Sequence, residues 1–331
     1  MSDLQVNVQQ ELPRIVVIGG GTGLSVMLRG LKEKPVHITA IVTVADDGGS
    51  SGILRNELQI PPPGDIRNVL MALADVEPLL TKLLKYRFTN GNGLAGHSLG
   101  NLMLAAMTDI TGDFVTGVRE LSRVLAVRGR VLPAAAHGTV LKAVMSDGSV
   151  VTGESMIPKA RGKIKRVFIE PAGAEPLPEA VEAIREADAI IIGPGSLYTS
   201  IMPNLCVQGL ADAVLESEAL KMFVCNVMTQ PGETDGYTVS DHLNAITEHI
   251  GQDLFHYVIV NNGDIPDDVL ERYAEEGSEA VIVDYEELSR RDVKLIADRL
   301  LMFNTYLRHD AARLSHHIYQ LVENWMSKKK R

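Results

Sequence analysis

Glycine-rich loops that follow short apolar runs carry the residues best suited to bind a phosphate. The first loop, Gly19–Ser25 (GGGTGLS), lies between an apolar run and a segment with helical character. Glycine lets backbone N–H groups approach a phosphate closely, and the N-terminus of a following helix adds further N–H donors. A packing turn would also use such glycines, and Leu24 stands at the third glycine position of a dinucleotide fingerprint. The context favours a phosphate site, with candidate residues Gly20, Gly21, Thr22 and Gly23.

A second loop, Ala45–Gly52 (ADDGGSSG), places two adjacent carboxylates before glycines and serines. Protein-bound Mg²⁺ takes one or two carboxylates together with the phosphates of a ligand. Asp46 and Asp47 are therefore candidate metal ligands, and Asp65, after a proline-rich turn, is a third. The same carboxylates would also suit ribose hydroxyls or a helix cap, and Asp65 is placed to act as an N-cap.

The stretch Gly96–Gly100 (GHSLG) matches the G-x-S-x-G nucleophile elbow of α/β-hydrolases. That motif needs a strand directly before the serine, whereas the preceding residues, Asn90–Ala95, are rich in glycine and asparagine. We therefore predict that these polar residues open a helix and face a bound ligand, although helix capping would use them equally. The candidate contacts here and in the acidic loop are His97, Ser98, Asn101 and Ser50.

Two later loops, Gly193–Ser200 (GPGSLYTS) and Asn226–Tyr237, also follow apolar runs. Their mixture of glycines, hydroxyls and amides suits a phosphate, a sugar or a base, while solvent-facing turns are the alternative. The candidate nucleotide contacts in these loops are Gly193, Gly195, Ser196, Asn226, Thr229 and Gln230.

The elements that must position these loops are short, continuous apolar runs alternating with helical periodicity. Such runs are typical of strands buried on both faces of a parallel sheet. The predicted strands are Arg14–Ile18, Ile38–Val44, Arg166–Ile169, Ala189–Ile192, Met222–Cys225, Tyr257–Val260 and Ala280–Val283. The pattern predicts an α/β fold with a doubly wound, mostly parallel, Rossmann-like sheet, in which the loops after the strands converge on one ligand cleft. Residues 140–151 read as an antiparallel hairpin addition around Asp147-Gly148.

Composition and charge exclude some classes of protein. The 331 residues carry 32 Lys and Arg against 42 Asp and Glu, a net charge of −10, which argues against a nucleic-acid partner. The sequence has no signal peptide pattern and no run long enough to span a membrane, so we expect a cytoplasmic protein. Cys206 and Cys225 lie in apolar stretches and are expected to be reduced thiols. We expect a tail over residues 1–12, one α/β domain over 13–326 and a basic tail over 327–331.

Motifs along nearly the whole chain resemble the YvcK-type family of gluconeogenesis factors, within the CofD-like superfamily. The motifs are IGGGTGLS (18–25), TVADDGGSSG (43–52), PPPGDIRNVL (61–70), GNGLAGHSLGNL (91–102), VTGES (151–155), IGPGSLYTS (192–200), NVMTQPGETDGYT (226–238) and LRHDA (307–311). The resemblance implies a cytosolic regulatory protein, needed for cell shape and for growth on gluconeogenic carbon sources. It also implies a UDP-sugar ligand such as UDP-N-acetylglucosamine.

The resemblance also assigns roles to individual residues. Gly20–Gly23 match the phosphate loop, and the amides and hydroxyl of residues 226–230 match the nucleotide-side loop. Arg308 is expected to contact the diphosphate or the uridine. The superfamily includes a phospholactate transferase that uses a guanine nucleotide and a divalent metal, so the alternative is a nucleotide-linked phospho-group transferase with Mg²⁺ at Asp46, Asp47 and Asp65. The predicted partners are the nucleotide-diphosphate ligand, a protein of the cell-envelope machinery and a second copy of the chain.

Overall fold

A seven-stranded parallel sheet forms the centre of the computed structural model, which describes residues 11–303 and 307–329. From one edge to the other its strands are β10 (Lys294–Asp298), β9 (Tyr257–Asn261), β8 (Leu220–Val224), β7 (Ala189–Ile192), β1 (Arg14–Gly19), β2 (His37–Val42) and β3 (Arg130–Pro133). The chain builds the sheet outwards from β1 in both directions, so the strand order reverses between β1 and β7. In such sheets ligands bind beyond the carboxyl ends of the strands at this reversal.

Helices flank the sheet, which is why its central strands are apolar along their whole length. Ile15–Ile18 of β1 and Ala189–Ile192 of β7 are at most 2% exposed. The helices are α1 (Gly21–Leu31), α2 (Gly49–Leu58), α3 (Gly64–Leu73), α4 (Pro78–Lys85), α5 (Leu99–Thr111), α6 (Phe114–Val124), α7 (Pro178–Arg185), α8 (Met202–Leu205), α9 (Gln208–Glu216), α10 (Val239–Ile250), α11 (Asp267–Glu275), α12 (Tyr285–Ser289) and α13 (Ala311–Lys329). The predicted doubly wound α/β fold is confirmed.

Two small antiparallel sheets are added to this core. One contains β4 (Val140–Met145) between β5 (Val150–Thr152) and β6 (Ile164–Glu170), and the other pairs β11 (Leu301–Phe303) with β12 (Leu307–His309). The predicted hairpin is present, and its turn uses the positive φ of Gly148 (87°). The predicted strand 166–169 exists as part of β6, but it pairs with β4 and does not enter the parallel sheet. Its alternating burial reflects a sheet with one face towards solvent.

The prediction of a strand at Ala280–Val283 is wrong. Val281 N–H donates to the Val227 carbonyl at 2.9 Å, and single bridges join this segment to the loop after β8. The segment therefore covers that loop instead of adding to the sheet, and Ile282 stays 65% exposed. The apolar pattern does not predict β3 and β10, the two edge strands of the sheet, because edge strands need less apolar sequence than central ones.

The C-terminal helix closes the fold against α1. A Cβ on Gly30 of α1 would overlap the Ala311 carbonyl and the Ser315 hydroxyl, so the two helices meet backbone to backbone.

The predicted N-terminal tail lies mostly outside the described residues, and the predicted basic tail is the last turn of α13 as far as Lys329. Cys206 and Cys225 are free thiols. In the part of the chain that the structure describes, no helix is both long enough and apolar enough to cross a membrane.

Candidate functional site

Two glycine loops meet at the point where the strand order reverses. Gly193, directly after β7, donates its N–H to the Ile18 carbonyl of β1 at 3.1 Å. A Cβ on Gly23 would lie 3.1 Å from the Pro194 carbonyl oxygen, tighter than an ordinary contact. Gly21 has a φ of +70°, which glycine adopts without strain. The glycines thus bring the N-terminus of α1 close against the loop after β7, and the first N–H groups of α1 have no partner within the helix.

A cleft of about 560 Å³ opens at this junction. Its walls are the start of α1, the loops after β7 and β8, one side of α11 with the residues that follow it, and β12. The predicted residues that line it are Gly21, Thr22, Gly23, Gly195, Ser196, Asn226, Thr229, Gln230 and Arg308. Gly20 and Gly193 lie behind the wall that these residues form, since the Gly20 carbonyl faces Gly195 across the junction. Residues far apart in the sequence therefore meet in one cavity, as the topology predicts.

Two of the predicted polar side chains shape the cleft wall. Asn226 makes a pair of hydrogen bonds with the Gly195 backbone, accepting from its N–H at 3.0 Å and donating to its carbonyl at 2.7 Å. The Thr229 hydroxyl accepts from the Glu279 N–H at 2.9 Å. Both side chains are thus engaged in joining loops, and what they offer a ligand is mainly the shape of the wall.

Two other side chains have unused polar atoms. Gln230 donates to the Ser196 hydroxyl at 2.6 Å, while its buried Oε1 has no hydrogen-bond partner among the described residues. His309 is 7% exposed, and its buried Nε2 also has no partner there. Burial lowers the pKa of His309 to about 4, so its imidazole is neutral at pH 7. Both atoms are therefore available to a polar molecule that enters the cleft, and six other buried side-chain atoms of the described residues are unpaired as well.

Several residues that line the cleft are not predicted by the sequence pattern. Tyr273 and Glu276 come from α11 and the residue after it, and Ser278 follows them. The Tyr273 hydroxyl accepts from the Leu307 N–H at 2.9 Å and so holds β12 at the cleft. The only sequence signal was for His309, which stands next to Arg308 in LRHDA; nothing in the pattern around Tyr273 separates it from an ordinary helix residue.

The carboxylates form a separate acidic centre beside Gly20, consisting of Asp46, Asp65 and Glu154. A Cβ on Gly20 would lie 2.5 Å from Asp65 Oδ2, and a Cβ on Gly64 would lie 2.5 Å from Asp46 Oδ2. Burial, and then the charge of Asp46, raise the pKa of Asp65 to about 7. Burial, and then Asp46 and Asp65, raise the pKa of Glu154 to about 8. Repulsion between carboxylates is thus relieved by protonation in the free protein.

The three predicted metal ligands, Asp46, Asp47 and Asp65, make different contacts in the structure. Asp47 accepts from the Ser155 N–H at 2.8 Å and lies against Gly153, so it holds the loop after β5. Asp65 lies in the first turn of α3, which begins at Gly64, and does not cap that helix. Over residues 11–303 and 307–329, no group of three or more His, Cys, Asp or Glu side chains is arranged to hold a metal ion. Asp46 and Asp65 fit Mg²⁺ only as a two-carboxylate site that ligand phosphates complete.

The remaining predicted residues lie outside the cleft in a buried network between α2 and α5. The Ser50 hydroxyl is 2.9 Å from His97 Nδ1 and accepts from the Asn101 amide at 3.1 Å. Ser98 is fully buried and caps α5, and its hydroxyl accepts from Arg67 at 3.0 Å. Ser98 therefore sits neither on a strand nor at an accessible surface, which excludes the nucleophile elbow.

Comparisons with known proteins match both the fold and the motifs. The family model of the 2-phospho-L-lactate transferase CofD matches residues 15–301. A gluconeogenesis factor of Halalkalibacterium halodurans is 59% identical over 307 residues, covering 92% of this chain and 95% of that protein. The gluconeogenesis factor of Bacillus subtilis strain 168 is 56% identical over 312 residues, covering 94% and 98%.

A solved structure shows the same architecture. The crystal structure of a UPF0052 family member from Bacillus halodurans is 57% identical to this chain, covers 94% of it and 99% of its own length, and superposes with a TM-score of 0.91. The family model spans residues from β1 to β11, which include the parallel sheet and the glycine loops, and the relatives cover 92% and 94% of the chain. The chain therefore belongs to the CofD-like family, and within that family to the gluconeogenesis factors.

Proposed function

We propose that the cleft binds a UDP-sugar of the UDP-N-acetylglucosamine type, and that the chain is a cytoplasmic regulatory gluconeogenesis factor. The observation that carries the proposal is the joint presence, in one cavity, of the α1 N-terminus, Arg308 and the unpartnered acceptor atoms of the cleft. The relatives' name, gluconeogenesis factor, supports a role in gluconeogenesis. The proposed need for the protein in normal cell shape and in growth on gluconeogenic carbon sources rests on the sequence resemblance.

The diphosphate would lie at the N-terminus of α1. Backbone N–H groups and the positive end of a helix dipole attract phosphate. Thr22 adds a hydroxyl at the same place, and Arg308 lines the same cleft from β12, which contacts α1. The helix N-terminus and Arg308 would supply positive potential on a chain with a net charge of −10, while Asp65 of the acidic centre already accepts a hydrogen bond from the Gly21 N–H of α1.

The sugar and nucleoside would satisfy the unpaired atoms. Gln230 Oε1 can only accept a hydrogen bond, and neutral His309 offers a ring nitrogen. A UDP-sugar carries ribose and sugar hydroxyls and an imide N–H, all of which can donate. The cleft volume of about 560 Å³ falls within the usual range for ligand pockets.

Calorimetry with UDP-N-acetylglucosamine, GTP and NAD⁺ tests the proposal. We expect heat of binding with the UDP-sugar and an affinity about tenfold lower in Arg308→Gln, the loss expected for one charge-assisted hydrogen bond. Arg185→Gln, on the exposed surface of α7, is the matched control. Binding of GTP or NAD⁺ with no heat from the UDP-sugar would refute the ligand assignment.

The second candidate is a metal-dependent, nucleotide-linked phospho-group transferase. It is favoured by the closeness of Asp65 to Gly20 in the phosphate loop, by the charge of Asp46 beside Asp65, and by the match to the transferase family model. Asp46 and Asp65 would hold Mg²⁺ against the ligand phosphates, and bound Mg²⁺ would neutralise developing phosphate charge. Product formed from nucleotide, Mg²⁺ and an acceptor, and lost in Asp46→Asn, would establish this function.

A regulatory role requires that the bound state be detected by another molecule. The candidates are a protein of the cell-envelope machinery and a second copy of this chain. Affinity capture with and without UDP-N-acetylglucosamine, together with the mass in solution under both conditions, tests both. A partner that binds equally in the two conditions would argue against ligand-controlled regulation.

A further inference from the structure

Two segments of the chain carry opposite charge. Residues 78–108, which form α4, the loop after it and most of α5, contain three cations and no aspartate or glutamate. Residues 264–287, which include α11 and the first turn of α12, contain ten aspartates and glutamates and one arginine, a net charge of −9. Because the whole chain has a net charge of −10, the negative charge is concentrated in this second segment.

Helix α4 exposes apolar side chains together with positive charge. Leu79, which is 74% exposed, is followed by Leu83 and Tyr86 at the i, i+4, i+7 spacing that shares one helix face. Lys82 and Lys85 are exposed on the same helix. Exposed apolar groups rimmed by polar residues mark surfaces of interaction. We call these five residues the basic face.

The acidic segment has the same construction with the opposite sign. Ile282 and Tyr285 are 65% and 55% exposed, and Glu286 and Glu287 are exposed beside Tyr285. We call these four residues the acidic face. Nine of the ten carboxylates in the segment are exposed. Arg290 pairs with Glu287, but an exposed pair of this kind contributes little, so the surface keeps its negative potential.

The two faces lie at opposite ends of the parallel sheet. Helix α4 packs on α5, α5 on α6 and α6 on the edge strand β3, whereas α11 and α12 belong to the connection from β9 to the other edge strand, β10. The seven strands at about 4.8 Å spacing separate these edges by roughly 29 Å. The basic face therefore cannot reach the acidic face of its own chain, but it can reach that of another.

We propose that the basic face of one copy of this chain binds the acidic face of the next. Each face offers apolar side chains for burial and charges that attract the other face. Such a contact joins two different surfaces, so it leaves one free face at each end and continues into a ring or an open chain of molecules. It needs no nucleotide, and it therefore holds or fails independently of the proposed function.

Sedimentation velocity without nucleotide tests the contact, from about 5 to about 500 µM protein, the range of a weak association. At 0.1 M NaCl we expect the mass to rise with concentration from 36.0 kDa to beyond that of a dimer. At 1 M NaCl the Debye length falls from about 10 Å to about 3 Å, so about tenfold more protein should be needed.

Charge reversal identifies the two faces. Lys82→Glu/Lys85→Glu and Glu286→Lys/Glu287→Lys should each remain at 36.0 kDa, because each variant places like charges opposite one another. An equal mixture of the two variants should associate again, since every contact between them pairs opposite charges. Recovery in the mixture is a result that misfolding of either variant would not give.

The matched controls are Lys165→Glu/Arg185→Glu and Glu175→Lys/Glu182→Lys, which make the same changes of charge at exposed positions outside both segments. They should associate like the unaltered chain. Equal weakening in the controls overturns the proposal, because net charge alone would then control association. A chain that stays at 36.0 kDa throughout overturns it too, as does a mixture of the face variants that fails to associate.

An anionic lipid surface is the other occupant that the basic face would suit. Vesicles of phosphatidylcholine and phosphatidylglycerol in equal parts test it. If the chain sediments with these vesicles, loses that binding in Lys82→Glu/Lys85→Glu and stays monomeric without them, the second copy is excluded. Loss of UDP-sugar binding leaves all these results unaffected, whereas a monomer that binds the UDP-sugar overturns the contact alone.

Discussion

Asp65 is a carboxyl group whose ionisation opposes folding. Its pKa is raised from 3.8 to about 7, and the pKa of Glu154 from 4.5 to about 8. Between the unfolded and folded pKa values the folded state binds more protons than the unfolded state, so stability falls as the pH rises. The effect of His309 on stability has the opposite sign. Because its pKa is lowered to about 4, stability rises with pH as the histidine of the unfolded chain loses its proton, and this rise is complete above pH 6.5.

We therefore predict that, without divalent cations, the free energy of unfolding falls between pH 6.5 and 8.5. Asp65→Asn should remove part of this fall and raise stability at pH 8.5 by about 1–3 kcal/mol, since each unit of pKa shift corresponds to about 1.4 kcal/mol. Urea unfolding at the two pH values measures it. Asp147→Asn is the control, because its exposed carboxylate has a lowered pKa and titrates below this window. An unchanged slope in Asp65→Asn would contradict the assignment.

The sequence indicated acidic chemistry at these positions but not the direction of each side chain. Asp46 and Asp47 are adjacent and equivalent in the pattern, yet one faces Asp65 and the other holds Ser155. Glu154 comes from a distant loop and was not predicted at all. The difference depends on tertiary contacts with Gly153 and Gly64, which no local spacing reveals.

The β1–α1 loop is the element whose shape the phosphate site depends on most. Gly21 has a φ of +70°, and a Cβ there would meet only the Ser200 hydroxyl at 3.4 Å, so a small side chain fits but must accept a left-handed backbone. Asparagine tolerates that conformation better than a β-branched residue does. Gly21→Asn should therefore fold and place its amide in the path of the diphosphate.

We predict at least a tenfold loss of UDP-N-acetylglucosamine affinity in Gly21→Asn, measured by calorimetry. Gly93→Asn is the control, because Gly93 also has a positive φ (80°) with nothing within 4 Å and lies outside the cleft. The two variants should lose similar stability and differ in ligand affinity. Equal affinities would remove this loop from the binding site.

The α2–α5 junction has a different role from the one its sequence suggested. Ser50 is 4% exposed, and its hydroxyl serves both His97 and Asn101. Ser50→Ala would leave two buried polar groups without this partner, which costs about 1–3 kcal/mol. We predict that loss of stability in denaturant unfolding, with UDP-sugar affinity changed less than twofold.

Ser51→Ala provides the comparison, since Ser51 is equally buried and takes no part in these two hydrogen bonds. A smaller loss of stability is expected there. If instead Ser50→Ala lowered ligand affinity and left stability intact, the network would belong to the binding site after all.

At the element level, periodicity predicted the central strands because burial on both faces demands continuous apolar residues. It failed where an apolar run serves another purpose: Ala280–Val283 covers the loop after β8. It also could not assign α11 to the cleft, because Tyr273 enters the site only through the packing of β12 against it. The loops were predictable since every parallel strand delivers its loop to the same edge.

Closure of the whole molecule depends on the contact between the first and last helices. Arg308 and His309 reach the cleft from the segment just before α13, although some 290 residues separate them from the phosphate loop. The structure holds this segment in place by packing α13 directly on α1 at Gly30. The binding site is therefore coupled to a helix contact that lies outside it.

We predict that Gly30→Ala lowers the free energy of unfolding by about 1–3 kcal/mol, the usual cost of overpacking. Because the added Cβ would push against the Ala311 carbonyl, three residues after Arg308, UDP-N-acetylglucosamine affinity should fall as well. Gly173→Ala is the control, since a Cβ at Gly173 meets nothing within 4 Å and its φ is not positive. Urea unfolding and calorimetry on both variants measure the effect. Loss of stability with full affinity would show that the cleft tolerates displacement of α13, and that Arg308 is positioned by Tyr273 and β11 instead.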